Sequence, residues 1–366
     1  MQTGLCLSVR IDRRQAIGLL AAVPAAAGAQ TAALPGPRSG SSMDAGRTTW
    51  AAFQARFVTP EGRVVDTGNG GISHSEGQGW GMLLAVRADD RRGFDLLHAW
   101  TRRTLSRPRD ALHAWRFRPD AAMPVDDPNN ATDGDLCIAW ALLEAGRRWD
   151  NADYTAAGAA IGRDLLRLLV RPTGGFGVLL PGLQGFERAD HVVVNLSYYV
   201  FPAFPLLAEA VPDAAWARLA ADGLTLLRLA RFGRWRLPPD WLQIARKDAA
   251  LAPATGWPAR FSFDAVRVPL WLAWAGLRQE PALLQAHRFW SAAASPPAWV
   301  DLETDAPAPY PAPPGTVAVA RLVAADGRTG PLASTPREVF DSSDYYSTML
   351  ILLSAWASQD VPIPSG

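Results

Sequence analysis

The stretch Asp133-Gly134-Asp135-Leu136-Cys137-Ile138-Ala139-Trp140-Ala141-Leu142-Leu143 decides the fold class. Leu136, Ala139, Trp140 and Leu143 stand at i, i+3, i+4 and i+7, the spacing that stacks side chains on one face of an α-helix. The same spacing returns in Ile161, Leu165, Leu168 and Leu169, and again in Met349, Leu352, Leu353 and Trp356. Similar patterns begin near residues 44, 76, 91, 213, 263 and 281, so that about eleven helical segments are expected. Strand alternation is scarce; Gly175 to Leu180 is the best candidate, as one piece of a short hairpin. The reading is an all-α chain.

Polar residues stand just ahead of apolar helical stretches at Glu76, Asp133, Ser197, Asp264 and Ser343. They recur roughly 60–80 residues apart, enough for two helices and a loop each time. Such an out-and-back rhythm suggests a closed double ring of helices, with the inner N-termini and their polar residues on one rim. Any one of them could be an ordinary N-cap or first-turn acid; five in register, with aromatic neighbours, favour a shared site. The segments 107–132, 231–258 and 294–313 are rich in Pro and Trp and longer than ordinary connections, as expected of loops that wall a cleft. Nothing divides residues 43–366 into two domains.

Upstream of these, Arg10, Arg13 and Arg14 precede an apolar run from Ala16 to Ala26 and a small-residue site at Ala27-Gly28-Ala29. Residues 1–29 therefore read as an export signal, and a periplasmic or secreted protein is expected. The run is too short to span a membrane, and the Arg13-Arg14 pair permits the twin-arginine route. Residues 30–42, rich in Pro, Gly and Ser, read as a linker. Removal of the signal takes Cys6 with it and leaves Cys137 alone, which excludes a disulfide within the mature chain. The formal charge of +1, from 36 basic and 35 acidic residues, aims no strong field at nucleic acid or at a membrane surface.

The five histidines show no metal-ligand spacing, and neither a phosphate loop nor a nucleophile elbow is present, so no metal or cofactor is expected. What remains is carboxylates with aromatics. Tryptophan occurs 15 times, and indole faces desolvate well against the apolar faces of pyranose rings. Trp140, Trp271, Trp274 and Trp356 fall on helical stripes and belong to the core, whereas Trp235, Trp241 and Trp257 lie in polar, loop-like sequence.

Four segments resemble glycoside hydrolase family eight. Ser75-Glu76-Gly77-Gln78-Gly79-Trp80-Gly81-Met82 is similar to its Ser-Glu-Gly-Gln segment, and Ala131-Thr132-Asp133-Gly134-Asp135 with Ile138-Ala139-Trp140-Ala141-Leu142 to its signature. Phe263-Asp264-Ala265-Val266-Arg267-Val268-Pro269 resembles its Tyr-Asp-Ala-x-Arg-x-Pro. Asn195-Leu196-Ser197-Tyr198 resembles its Asn-Pro-Ser-Tyr, with Leu196 where proline is usual. The nearest in character are the periplasmic endoglucanases that accompany bacterial cellulose synthase.

The resemblance implies an (α/α)6 barrel and inverting hydrolysis of a β-1,4-glucan, with the cellulose synthase complex as a candidate partner. It also implies Glu76 as general acid, Asp264 as general base, Asp133 holding the sugar at the cut, and Tyr198 and Arg267 ordering the water and the base. Trp80, Trp115, Asp135 and Tyr345 complete the expected substrate contacts, with the alternative for Asp135 that it only braces Asp133 or a neighbouring backbone amide. Inverting cleavage needs its two carboxyl groups about 6.5–9.5 Å apart, to admit a water. A general acid must stay protonated although a helix N-terminus favours its charged form; Asp133 close to Glu76, with Trp80 half-covering it, is expected to hold that proton. Xylan and chitosan are cut by the same family, and Asp264 favours the subgroup of cellulases and xylanases. A nucleotide-sugar glycosyltransferase would place Asp133-Gly134-Asp135 after a strand, whereas here it opens a helix. A non-catalytic glucan-binding protein would lack the acid or the base.

Overall fold

A computed structural model describes residues 40–324 and 344–361. The expected export signal, the linker up to residue 39 and Ser343 lie outside the described residues. The first helix, α1, runs Gly40–Phe57, so residues 40–42, read as the end of a linker, are helical. Among the described residues ten further helices follow: α2 (Ser75–Arg87), α3 (Arg91–Leu105), α4 (Thr132–Arg148), α5 (Ala152–Leu169), α6 (Phe204–Ala210), α7 (Ala214–Leu229), α8 (Arg267–Trp274), α9 (Pro281–Ser291), α10 (Pro314–Ala324) and α11 (Tyr345–Asp360).

They sort by burial. Helix α3 buries one stripe, with Phe94, Leu97, Trp100 and Leu105 inside and arginines outside, as a surface helix does. Helix α8 is buried along its whole length, and α2 from Ser75 to Val86 apart from Glu76, which requires neighbours on every side. Helices α2, α4, α6, α8, α10 and α11 make an inner ring inside α1, α3, α5, α7 and α9. Inner neighbours touch in sequence from α2 to α4 to α6, and from α8 to α10 to α11; the 3-10 turn Phe201–Ala203 bridges α6 and α8. At the closing seam, Tyr345 of α11 meets His74 just before α2, and Arg87 at the end of α2 pairs with Asp360 at the end of α11. The two helices therefore run parallel. The fold is the expected (α/α)6 barrel.

The closest inner contact is made by two glycines. A Cβ on Gly79 would lie 2.6 Å from the Cys137 Cβ and 2.8 Å from the Ile138 amide nitrogen, and one on Gly134 would collide with Ser75 and Glu76. Glycine at both positions lets α2 and α4 approach backbone to backbone, in parallel, and sets Glu76 and Asp133 side by side. The four tryptophans expected in the core are there: Trp140 stands edge-on to Trp274 with centroids 5.0 Å apart, and Trp271 and Trp356 pack around them. Trp235, expected in a functional loop, instead packs edge-on against Phe289 at the core's margin.

The hairpin expected near Gly175 is formed by β3 (Val170–Thr173) and β4 (Phe176–Leu179). The remaining strands are too short for alternation to register in sequence, and they fasten the long loops. A pair of two-residue strands, β1 (Ser73–His74) and β2 (Arg116–Phe117), ties the 107–132 loop to the start of α2. Strand β5 (His191–Val194), a β-branched run, pairs antiparallel with β6 (Leu242–Ala245), and β6 with β7 (Leu251–Pro253), which anchors the 231–258 loop. Likewise β8 (Arg260–Phe261) and β9 (Val300–Asp301) pair just ahead of Asp264.

Candidate active site

Parallel inner helices put their N-termini on one rim, and the polar residues expected there converge. His74 caps α2, its Nδ1 accepting from the Gly77 N–H at 3.0 Å. In neutral imidazole this places the ring proton on Nε2, which faces Asp66 at 3.4 Å. Glu76 follows in the first turn. Asp133 stands at the corresponding place on α4, with its Oδ1 accepting from the Gly134 N–H at 2.8 Å. Asp264 sits in the turn before α8, three residues ahead of Arg267.

Arg267 is the hub. Its Nη1 donates to Glu76 Oε1 and to Asp133 Oδ2 (3.3 Å), and its Nη2 donates to Ser197 Oγ (3.0 Å) and to Asp264 Oδ1 (2.7 Å). The guanidinium is planar and cannot lose its charge, so it neutralises part of a triple-carboxylate cluster. Glu76 and Asp264 are thus separated by two hydrogen bonds and the width of one guanidinium. Their nearest oxygens therefore lie within roughly 8 Å of each other. Among the described residues no His, Cys, Asp or Glu cluster is arranged to hold a metal ion.

Burial governs the charge states. It pushes the Asp133 carboxyl up to about 7, against the pull of the Gly134 N–H. Asp264 is also raised by burial, and the neighbouring carboxyls of Asp240 and Asp133 add to this; the Asn195 and Trp241 side chains pull the other way. Arg267, at 2.7 Å, favours the charged form of Asp264, which keeps 31% of its side chain exposed to solvent. The Tyr198 hydroxyl is pushed up by burial and by the nearby Asp133 and Asp264, so it stays protonated and can donate. The expected arrangement around Glu76 needs correction: Asp133 is adjacent, but Arg267 stands between the two carboxylates and donates to both.

Of the expected substrate contacts, Arg267 and Tyr198 reach the site, and Trp115 touches it only through its backbone. The Tyr198 ring lies 5.7 Å from the Arg267 guanidinium and edge-on to Trp241. Half-buried Trp115 holds Ser75, the first residue of α2, through its carbonyl oxygen, and its indole N–H donates to Asp127 at 2.8 Å. Three others do not reach it. Trp80 is fully buried, one turn below Glu76, and shows no surface to a sugar. Tyr345 is also fully buried, edge-on to Phe57 and His74. Asp135 is buried as a brace: its oxygens accept from the His113 amide (2.9 Å) and the Asn130 side chain (3.0 Å), and its Oδ1 meets the His113 ring at 3.0 Å. Trp80 lies a turn deeper in the ring, whereas Asp135 and Tyr345 belong to first turns and are buried there.

The structure adds residues that sequence reasoning missed. Tyr346, the neighbour of Tyr345, faces the site; it stacks on Trp80, donates to the Phe263 carbonyl and is pushed up chiefly by burial. Asp240 lies behind Asp264. Trp241 and Trp257 stack with centroids 5.0 Å apart, and Phe186 lies parallel on Trp241 at 5.7 Å. These half-buried rings form a flat aromatic wall beside Tyr198. The Trp-rich loop sequence signalled Trp241 and Trp257; nothing in the pattern signalled Tyr346 or Asp240.

A family model described as glycosyl hydrolases family 8 matches residues 12–360. The chain belongs to this family. Within it, the chain is 45% identical over 336 residues to a probable endoglucanase of Novacetimonas hansenii, covering 91% of this chain and 97% of the relative. It is 43% identical to an endoglucanase of Cellulomonas uda, over 75% of this chain and 77% of the relative. Among solved structures it is similar to the endo-β-1,4-glucanase CMCax from Acetobacter xylinum, with a TM-score of 0.81, 45% identity, and coverage of 87% of this chain and 99% of that one. A family 8 endoglucanase from Klebsiella pneumoniae superposes with a TM-score of 0.80 at 41% identity, over 86% and 99% of the two chains.

Proposed function

We propose that this family 8 hydrolase is an inverting endo-β-1,4-glucanase that cuts cellulose or a related β-glucan. The observation that carries this reading is the gathering of Glu76, Asp133 and Asp264 around the single guanidinium of Arg267 on one helix rim. In this scheme Glu76 transfers its proton to the glycosidic oxygen as the C–O bond to the anomeric carbon breaks. Asp264 takes a proton from a water that forms the new C–O bond on the opposite face. Asp133 binds the sugar at the cut, while Arg267 and Tyr198 orient the water and the base. Glu76 must carry a proton for this, so Arg267 releases its contact with Glu76 when the glycosidic oxygen arrives and keeps its contact with Asp264. The Trp241–Trp257 wall supports the reading by offering the stacking surface that glucose rings need.

The sequence of residues 1–29 supports export to the periplasm or beyond, and the resemblance to synthase-associated endoglucanases suggests work on newly made cellulose. The test is product analysis on cello-oligosaccharides for wild type and Glu76→Gln, with carboxymethylcellulose, xylan and chitosan as parallel substrates. Short cello-oligosaccharides from wild type alone are expected, with carboxymethylcellulose cut faster than the other two polymers. Full activity of Glu76→Gln, or preference for xylan or chitosan, overturns the assignment.

A further inference from the structure

Asp240 stands outside the proposed chemistry, yet its single Oδ1 accepts from both the Ser262 N–H (2.9 Å) and the Ala265 N–H (2.8 Å). Those two amides bracket Phe263-Asp264. Its own N–H donates to the Arg260 carbonyl at 2.7 Å, so three hydrogen bonds lock Asp240 against the segment that carries the base. The next residue, Trp241, turns its side chain toward Asp264 and stacks on Trp257. One short stretch, Pro238-Pro239-Asp240-Trp241, therefore joins the aromatic wall to the turn under Asp264.

We propose that Asp240 is a positioning residue for Asp264, clamping the turn that holds the base and acting on the base through its own charge. The inference rests on Asp264 being the base. A clamp alone does not call for a carboxylate: an asparagine Oδ1 accepts the same two amides without a buried charge. Among the described residues, no arginine, lysine or histidine forms an ion pair with Asp240, and an uncompensated carboxyl beside another is costly. What the charge supplies is repulsion. A negative neighbour favours the protonated form of Asp264 and so makes it a stronger base, balancing Arg267. Burial also holds Asp240 itself at about 7, so its charge develops within the range where such an enzyme works. The other groups facing Asp264 are Arg267 of α8, Asp133 of α4, Glu76 of α2 through the shared guanidinium, Tyr198 after β5 and Tyr346 of α11. All of them remain when Asp240 is changed.

The test compares pH profiles of kcat/KM on cellopentaose for wild type, Asp240→Asn, Asp240→Ala and Asp264→Asn. Asparagine keeps the clamp and removes the charge. The low-pH limb, which reports ionisation of the base, should move down by roughly one pH unit with little change in KM. Alanine removes the clamp, and kcat should fall roughly 10²-fold. A limb that stays in place in Asp240→Asn overturns the proposal, even where Asp240→Ala fails to fold. Asp264→Asn separates the two failures. If it remains active, the base itself is misassigned; if it is inactive while the Asp240→Asn limb does not move, only the role given to Asp240 falls.

Discussion

The acid side and the base side of this site are built by different means. Glu76 and Asp133 stand on the first turns of two helices pressed together through Gly79 and Gly134, buried on all sides below the rim. Asp264 stands on a turn held by hydrogen bonds to Asp240, by the Arg267 guanidinium and by the two-residue strand pair β8–β9. On the first side, position follows from close packing, which tolerates no added atoms. On the second it follows from a few directed polar contacts, each of which can be removed singly.

Substitutions break this comparison at different strengths. The largest effect is expected from the reacting groups: Glu76→Gln should lower kcat about 10²–10⁴-fold with little change in the unfolding midpoint, read from steady-state kinetics and denaturation together. Next is the helix contact. Gly79→Ala places a Cβ against Cys137 and Ile138 and should cost about 1–3 kcal/mol in chemical denaturation, with activity falling as α2 shifts. If that variant is as stable as wild type, the close approach of α2 and α4 is not what fixes Glu76.

Acidity sharpens the contrast. The Asp133 carboxyl is raised by burial from the ordinary value near 3.8 to about 7, so the folded state holds its proton more tightly than the unfolded chain. The stability this gives is complete below about pH 4 and is lost as the pH rises through about 7. Asp133→Asn should therefore gain stability relative to wild type with rising pH, and the difference should level off above pH 8. Thermal unfolding scans of both proteins across that range check it; parallel curves would contradict the raised value. The smallest effect belongs to the aromatic wall, where Trp241→Ala should raise KM for cello-oligosaccharides roughly 3- to 10-fold.

The same division explains what was legible in the sequence. Helices α4, α5 and α11 were written plainly in their apolar spacing, and polar residues just ahead of the apolar runs of α2, α4 and α8 marked Glu76, Asp133 and Asp264. Below the first turn that signal fails. An inner helix is covered on every face, so periodicity cannot separate a residue lining the groove from one inside the core. Trp80, one turn below Glu76, therefore proved to be core. At the start of α11 a step of one residue decides the matter: Tyr345 points into the ring and Tyr346 toward Arg267. Asp135 looked like a partner of Asp133, but a shift of two residues around the helix turns it to His113 and Asn130. Asp240 was invisible because its partners, the amides of Ser262 and Ala265, exist only once the loop is folded onto β8. The four-residue run His191–Val194 was too short to distinguish a strand from any buried apolar stretch.

The central claim is that Glu76 and Asp264 act across one sugar with a water between Asp264 and the anomeric carbon. Proton NMR of cellopentaose hydrolysis, recorded within the first minutes of reaction, tests it most directly by showing which anomer is released first. The account predicts the α-anomer, appearing before mutarotation. Release of the β-anomer would mean retention through a covalent intermediate, and would contradict the placement of the water and the role given to Asp264.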